Sequence, residues 1–479
     1  MAAPRQEVRA MPDAHLDEFL RAFRTLADAA QAAQAQRTDE ITPLVPVLRQ
    51  HLGRDPRGLP VLTEVVPFLR RVDADVAVAA VVEAHGGGRL IGIGGGEQRM
   101  HSSLSEILNT AGQWAAHFPV GAVDYERTAT GPDSERRVVA FGLTLLRVDD
   151  EPVVLAQRLN SPRHEGQGTI EVLCADDDLA GALLAEIRTA MTERSVLRGQ
   201  VVTFQGSPYQ PGAGGVTFVR RETVPRADVV LPDGTLDRVE RQVLAVARHR
   251  DTLRDAGQHL KRGVLLYGPP GTGKTHTVRH LVGAAEGTTV ILLAGPSLAL
   301  VSLAAETARA LQPAIVVLED CDLVAEDRSF SHGPQPLLFE VLDALDGLAS
   351  DADVTFLLTT NRADLLERAL SQRPGRVDLA VEIPLPDDDA RRRLFALYTR
   401  GLPFGDDVLD RATARTSGVT ASFVKEAARR AVLLAAEAGR PVGDEDLDAA
   451  VDEMLQDSER VTRSLLGAGD PPLEEASAF

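Results

Sequence analysis

Residues 264–275 read VLLYGPPGTGKT, and this stretch decides the fold. The apolar run Val264–Tyr267 is a short strand. The next eight residues, Gly268, Pro269, Pro270, Gly271, Thr272, Gly273, Lys274 and Thr275, fit G-x-x-x-x-G-K-[ST] and open a helix. The physics follows from the residue types. Gly271 and Gly273 let backbone N–H groups approach phosphate oxygens, and the helix N-terminus adds partial positive charge. Lys274 puts a flexible cation on the β- and γ-phosphates, and Thr275 offers a hydroxyl to Mg²⁺. A glycine–proline turn that met Lys-Thr by chance would need neither the strand before it nor the helix after it.

The sequence downstream supplies the complementary groups. AIVVLEDCD (314–322) is a strand that ends in acids. Phosphate-bound Mg²⁺ needs a carboxylate at such a tip, and hydrolysis needs a second one to orient water. Glu319 and Asp320 stand there; without the glycine loop they would read as surface acids. VTFLLTTN (354–361) ends in Asn361, an amide suited to the attacking water or the γ-phosphate. Alone, Asn361 reads as a turn or helix cap. In RADLLERALSQRPGRVD (362–378), Arg373 and Arg376 flank Pro374-Gly375. Loop arginines can stabilise transition-state charge in trans, although two of them without context read as solvated surface.

Short apolar strands alternate with helical stretches at VLLY (264–267), TTVILL (288–293), AIVVLE (314–319), VTFLLT (354–359) and AVEI (380–383). That pattern predicts a parallel sheet covered on both faces. The expected fold class is α/β, a P-loop NTPase parallel sheet with a C-terminal helical lid, preceded by an α+β region. Residues 224–387 are expected to form the sheet subdomain, 388–460 the lid, and 461–479 a disordered tail. Val224–Asp237, with Pro225, Pro232 and Gly234, reads as the linker into the sheet subdomain.

The first 223 residues divide at about 85. Residues 1–85 read as mainly helical, with stretches at 14–37 and 59–82. Residues 86–223 read as α+β. RVVAFGLTLLRV and PVVLAQRL flank the turn Asp149-Asp150-Glu151, TIEVLCA (169–175) and QVVTFQ (200–205) are strands, and 206–215 is a loop. The glycine runs 86–88 and 94–96 lack the Lys-Ser/Thr end of a phosphate loop and read as turns. No catalytic constellation stands out in this region.

Composition narrows the classes. The formal charge of −19 and the absence of a basic block argue against a sequence-independent grip on nucleic acid. Cys174 and Cys321 cannot build a disulfide scaffold or a four-ligand zinc site. No apolar run approaches the ~20 residues of a membrane span, so a cytoplasmic protein is expected. Of 51 basic residues only Lys261, Lys274 and Lys425 are lysines, which marks those three positions for attention.

The stretch from about Val229 to Asp457 resembles an AAA-family ATPase module. GPPGTGKT corresponds to Walker A, VVLEDCD to Walker B, LLTTN to sensor 1 and RPGRVD to the finger motif, followed by EIPLPD and TSGVTASFVKEAARRA (416–431). The resemblance implies ATP and Mg²⁺ as ligands. Gly268 to Thr275 with His276 and Ala421 would hold the nucleotide, and Thr275 and Glu319 the metal. Asp320 would orient water and Asn361 would sense the γ-phosphate. Arg373 and Arg376 would reach a neighbour's nucleotide in a ring, usually a hexamer. Ala421 and Ser422 sit where many relatives have Gly-Ala.

The sequence departs from the family pattern in three ways. The usual Walker B order, Asp then Glu, is inverted to Glu319 then Asp320. That order is similar to the mitochondrial Rieske-protein translocase branch, whose membrane helix is not seen here. No aromatic pore loop follows the second strand, and Leu300 and Val301 are its nearest candidates. The first 223 residues match no family pattern and would be the part that meets a protein substrate or adaptor. The expected function is a ring-forming ATPase that remodels a protein partner. An ATP-gated scaffold with little turnover is the alternative, and the charge weighs against a nucleic-acid motor or loader.

Overall fold

A computed structural model of the chain describes residues 41–114, 116–159, 167–207, 210–321, 351–362 and 377–465, with Ala22 and Thr25. The stretch expected to be helical at 14–37 lies outside these, apart from Ala22 and Thr25, which are helical. So do Arg373, Arg376 and the residues after 465. Chain contacts divide the protein into two compact units, 1–196 with 209–215 and 197–208 with 216–479.

The first unit is a seven-stranded sheet. Its strands are β1 (Val61–Val66), β2 (Gly88–Ile93), β3 (Val120–Gly121), β4 (Asp124–Gly131), β5 (Ser134–Val148), β6 (Glu151–Arg158) and β7 (Gly168–Leu173). Their order is β1-β7-β6-β5-β2-β3, with β4 paired to the first half of β5. The pairings among these described strands are antiparallel.

Period-two alternation explains its two cores. Phe141, Leu143, Val154 and Ala156 face helices α1 (Leu44–Leu52) and α3 (Leu104–Gln113). Val153, Leu155, Ile170 and Val172 face α2 (Arg71–Ala84) and α4 (Asp177–Glu193). The hairpin turn expected at Asp149-Asp150 is present, with φ of 47° and 67°.

One expectation for this region changes. The helical stretch from 59 begins instead as strand β1. Pro60 and Pro67 bracket a run rich in Val and Thr, which pairs with β7 before α2 starts. The glycine run 94–96 follows β2, and the Gly94 N–H donates to the Pro119 carbonyl at 2.7 Å, continuing the pairing of β2 with β3.

The second unit holds β8 (Val201–Ser207), β9 (Gln210–Val219), β10 (Arg262–Tyr267), β11 (Thr289–Ala294), β12 (Ala314–Glu319), β13 (Val354–Thr360) and β14 (Leu379–Glu382). The order is β14-β10-β13-β12-β11-β8-β9. The pairs from β14 through to β8 are all parallel. Of residues 206–215, read as a loop, 206–207 instead continue β8 and 210–215 belong to β9. The compact units also divide earlier than 223. The cause is pairing: Val201–Thr203 run parallel to Val290–Leu292, so β8 extends the ATPase-like sheet.

Helices α5 (Lys274–Ala284) and α6 (Val301–Ala310) follow β10 and β11. The lid comprises α7 (Asp388–Tyr398), α8 (Asp406–Arg415), α9 (Ala421–Glu437) and α10 (Asp444–Leu465) around Phe395, Val424, Ala431 and Leu447. Leu300 and Val301, the nearest pore-loop candidates, are both buried, Val301 completely. In this conformation neither can grip a polypeptide.

Candidate nucleotide site

The parallel strands β10, β12 and β13 bring their C-terminal ends together, which places three sequence-distant motifs at one edge. Beyond β10 the loop needs its glycines. Gly271 and Gly273 have φ of 75° and 111°, and Gly273 caps α5. Lys274 is only 6 % exposed, and its ammonium donates to the carbonyls of Gly268 and Pro269 at 2.9 and 2.8 Å. Those contacts hold the cation over the loop. The Thr272 hydroxyl donates to the Pro269 carbonyl at 2.9 Å and stiffens the same turn.

A cleft of about 380 Å³ opens beside the loop. Pro270, Gly271, Gly273, Lys274, Thr275 and His276 line it, opposite Asp320 and Asn361. Its size falls in the range of small-molecule sites, roughly 300–1,000 Å³. The structure places Pro270 to His276 of the glycine loop, apart from Thr272, beside one cleft with Asp320 and Asn361, and Ala421 at the lid side.

The inverted acids have a local explanation. Successive strand residues point to opposite faces, so Glu319 and Asp320 should diverge. Asp320 instead leaves β12 with φ of 50°, a left-handed conformation that Asp tolerates better than most residues. Its N–H donates to the Thr359 hydroxyl at 3.0 Å, which fixes the turn, and its side chain lines the cleft. Glu319 ends β12 with its carboxylate hydrogen-bonded to Thr275. Burial, then the neighbouring Asp320 charge, pushes the Glu319 carboxyl above the usual range, while Arg279 and Thr275 pull it down. Such a half-buried acid with a hydroxyl beside it is a hard-oxygen donor set of the kind that suits Mg²⁺.

Four further residues line this cleft without a role assigned from sequence: Arg279, Tyr398, Ser422 and Lys425. Helical spacing carries the signal for two of them. Arg279 lies four residues after Thr275, and Lys425 four after Ala421, so each pair shares a face. The Ser422 N–H donates to the Gly271 carbonyl at 3.1 Å, which seats the start of α9 on the loop. The Thr420 hydroxyl accepts from the Phe423 N–H at 3.2 Å and caps α9 there. Tyr398, at the end of α7, is half-buried, and burial raises its phenol. Lys425 is the second of the three lysines to fall on this cleft.

The fold and the cleft define a class: a P-loop nucleotide-binding unit with a helical lid. Comparison with known proteins points the same way. Residues 264–385 match the family described as "ATPase family associated with various cellular activities (AAA)". The chain is 32% identical over 303 residues to the ATP-dependent zinc metalloprotease FtsH 3 of Sphaerobacter thermophilus, covering 60% of each. It is 33% identical over 222 residues to the FtsH of Cutibacterium acnes, covering 43% of this chain and 31% of that one. It is 34% identical over 202 residues to the 26S protease regulatory subunit 6A of Caenorhabditis elegans, covering 39% and 46%. The chain therefore spans less than two thirds of each of these relatives.

Proposed function

We propose that the chain binds and hydrolyses ATP with Mg²⁺ and couples turnover to remodelling a protein partner. The observation that carries this reading is the single cleft shared by Lys274, Thr275, Asp320 and Asn361, closed on one side by α9. The ATP-dependent relatives support the choice of nucleotide.

In this reading the loop N–H groups and Lys274 bind the phosphates. Lys274 exchanges its two loop carbonyls for phosphate oxygens. Thr275 and Glu319 would hold Mg²⁺, which when bound neutralises phosphate charge. Asp320 orients the attacking water, and Asn361 reads the γ-phosphate position. Tyr398 offers a flat apolar surface to the base. Arg373 and Arg376 complete a neighbouring copy's site in a hexameric ring, a role that rests on the resemblance alone. Residues 1–223 meet the protein partner.

The zinc-protease part of the relatives' names is not carried over, because the 479 residues contain no His-Glu-x-x-His. Among the described residues no helix is long and apolar enough to cross a membrane.

A second reading, an ATP-gated scaffold with little turnover, is favoured by one observation. Leu300 and Val301 are packed into the core rather than offered to a substrate. Equilibrium binding of ATP with and without Mg²⁺ tests the shared first step. Tight Mg²⁺-dependent binding that Lys274→Ala abolishes supports both readings, and no binding by the parent chain sinks both. Stimulation of turnover by an unfolded protein then separates them, because it contradicts the scaffold.

A further inference from the structure

We propose that His280 is a positioning residue that straps the linker onto the phosphate-loop helix only while both its ring nitrogens carry protons. His280 lies on α5, on the same helix as Lys274 and Thr275, and is 5 % exposed. Its Nδ1 is 2.8 Å from the Val224 carbonyl oxygen, and its Nε2 is 2.8 Å from Glu240 Oε1. A carbonyl and an ionised carboxylate only accept hydrogen bonds. Both contacts are therefore hydrogen bonds only when both nitrogens donate, which means an imidazolium. A neutral ring leaves a bare nitrogen facing a carboxylate in a buried site, which is repulsive and unsatisfied.

The contacts belong to a longer strap. Residues 221–240 run along the whole of α5. The Arg221 guanidinium donates to the carbonyls of Val282 and Ala285 at the end of α5. A Cβ on Gly283 would lie 2.6 Å from the Glu222 carbonyl oxygen, so the linker backbone passes in contact there. Near the start, His276 Nε2 is 3.2 Å from the Asp228 carbonyl oxygen. The Asp228 carboxylate in turn accepts from Arg400 of the lid at 2.8 Å.

Other charged groups on these elements have partners of their own. Arg226 pairs with Glu240 and Asp237, and Glu222 lies 3.8 Å from Arg279. None of them has a hydrogen bond to the His280 ring. The second ring proton on His280 is thus what the two acceptors of the strap require. Because α5 begins with Lys274 and Thr275, loosening the strap loosens the phosphate loop.

The effect on nucleotide rests on the ATP reading of the cleft; the strap itself does not. Glu240→Gln provides the decisive variant, since its amide N–H donates to an unprotonated Nε2 and keeps the contact at any pH. Hydrogen exchange of the 222–240 amides, compared between the full-length parent and Glu240→Gln at the same pH, reads the strap. The ratio of the two proteins at pH 5.5 is the baseline, since the variant also loses the Arg226–Glu240 ion pair. At pH 8.5 the parent should exchange about fivefold faster against that baseline, the factor expected for one lost hydrogen bond. Apparent ATP affinity of the parent should fall by a similar factor relative to the variant. An unchanged ratio at pH 8.5 overturns the proposal. If Glu240→Gln does not fold, the parent alone decides: exchange at 222–240 must accelerate relative to α10 as pH rises, and a constant ratio overturns the strap. Absence of ATP binding at every pH contradicts the ATP reading, and the exchange data still judge the strap.

Discussion

The backbone N–H of Ser422 donates to the carbonyl of Gly271 across 3.1 Å, joining the first turn of the lid helix to the crown of the phosphate loop. The loop and the lid are thus one mechanical unit. A Cβ at Gly271 would sit 2.9 Å from the Ser422 hydroxyl oxygen and 3.2 Å from that of Thr420, at a φ of 75°. Gly271→Ala should therefore weaken ATP binding at least ~10-fold and lower stability by about 1–2 kcal/mol, through strain and displacement of α9. Ser422→Pro removes the N–H at a helix position that tolerates proline, and should weaken binding while leaving helix content unchanged. Titration calorimetry and far-ultraviolet circular dichroism check the pair.

Lys425 gives a milder prediction. It lines the cleft from α9 but lies outside the loop itself. Lys425→Ala should weaken ATP binding by about threefold to tenfold, since one partly solvated charge contact contributes roughly 0.5–1.5 kcal/mol. The same titration reads it, and an unchanged affinity assigns Lys425 to the surface.

Leu300 and Val301 test packing against substrate contact. Both are buried, so Leu300→Ala should lower stability by about 2–5 kcal/mol by opening a cavity. Denaturant unfolding should show that loss. Lost stimulation by protein substrate with unchanged stability would instead revive these residues as a pore loop.

The lid should respond to acid in a defined direction. The Arg429 guanidinium, then that of Arg430, holds the Glu426 carboxyl down at about 2, and Arg440 holds Asp446 below its usual range. Both folded values lie below the unfolded ones, so the stabilisation is complete above the unfolded carboxylate range. It disappears as pH falls through the folded values. Lid helices should hold near pH 5 and loosen progressively toward pH 2, with the exposed Glu426 pairs strongest at low salt. Glu426→Gln should lose part of that acid step in a thermal-melt series.

Much of the site was legible in sequence because its chemistry is local. Gly271, Gly273, Lys274 and Thr275 are adjacent, and their loop needs only a strand before it and a helix after it. Glu319, Asp320 and Asn361 were legible because parallel strands must end on one side. What the sequence did not reveal depends on tertiary pairing. β1 was hidden because a Val-rich run between prolines fits helix and strand periodicities alike over so few residues. β8 read as a strand, but nothing in QVVTFQ names the sheet that it joins. His280 and Lys425 fall on ordinary helix positions, and only packing shows what they face. The left-handed turn at Asp320, which redirects the second acid, has no signature beyond the residue type.

The most direct test of the central claim is phosphate release from Mg·ATP by the purified full-length chain, parent against Asp320→Asn. The account predicts steady turnover by the parent. The variant should bind ATP as tightly yet release phosphate at least ~100-fold more slowly, as expected when a water-orienting group is lost. Equal turnover by the two proteins would contradict the role of Asp320, and tight ATP binding with no turnover by the parent would establish the scaffold instead.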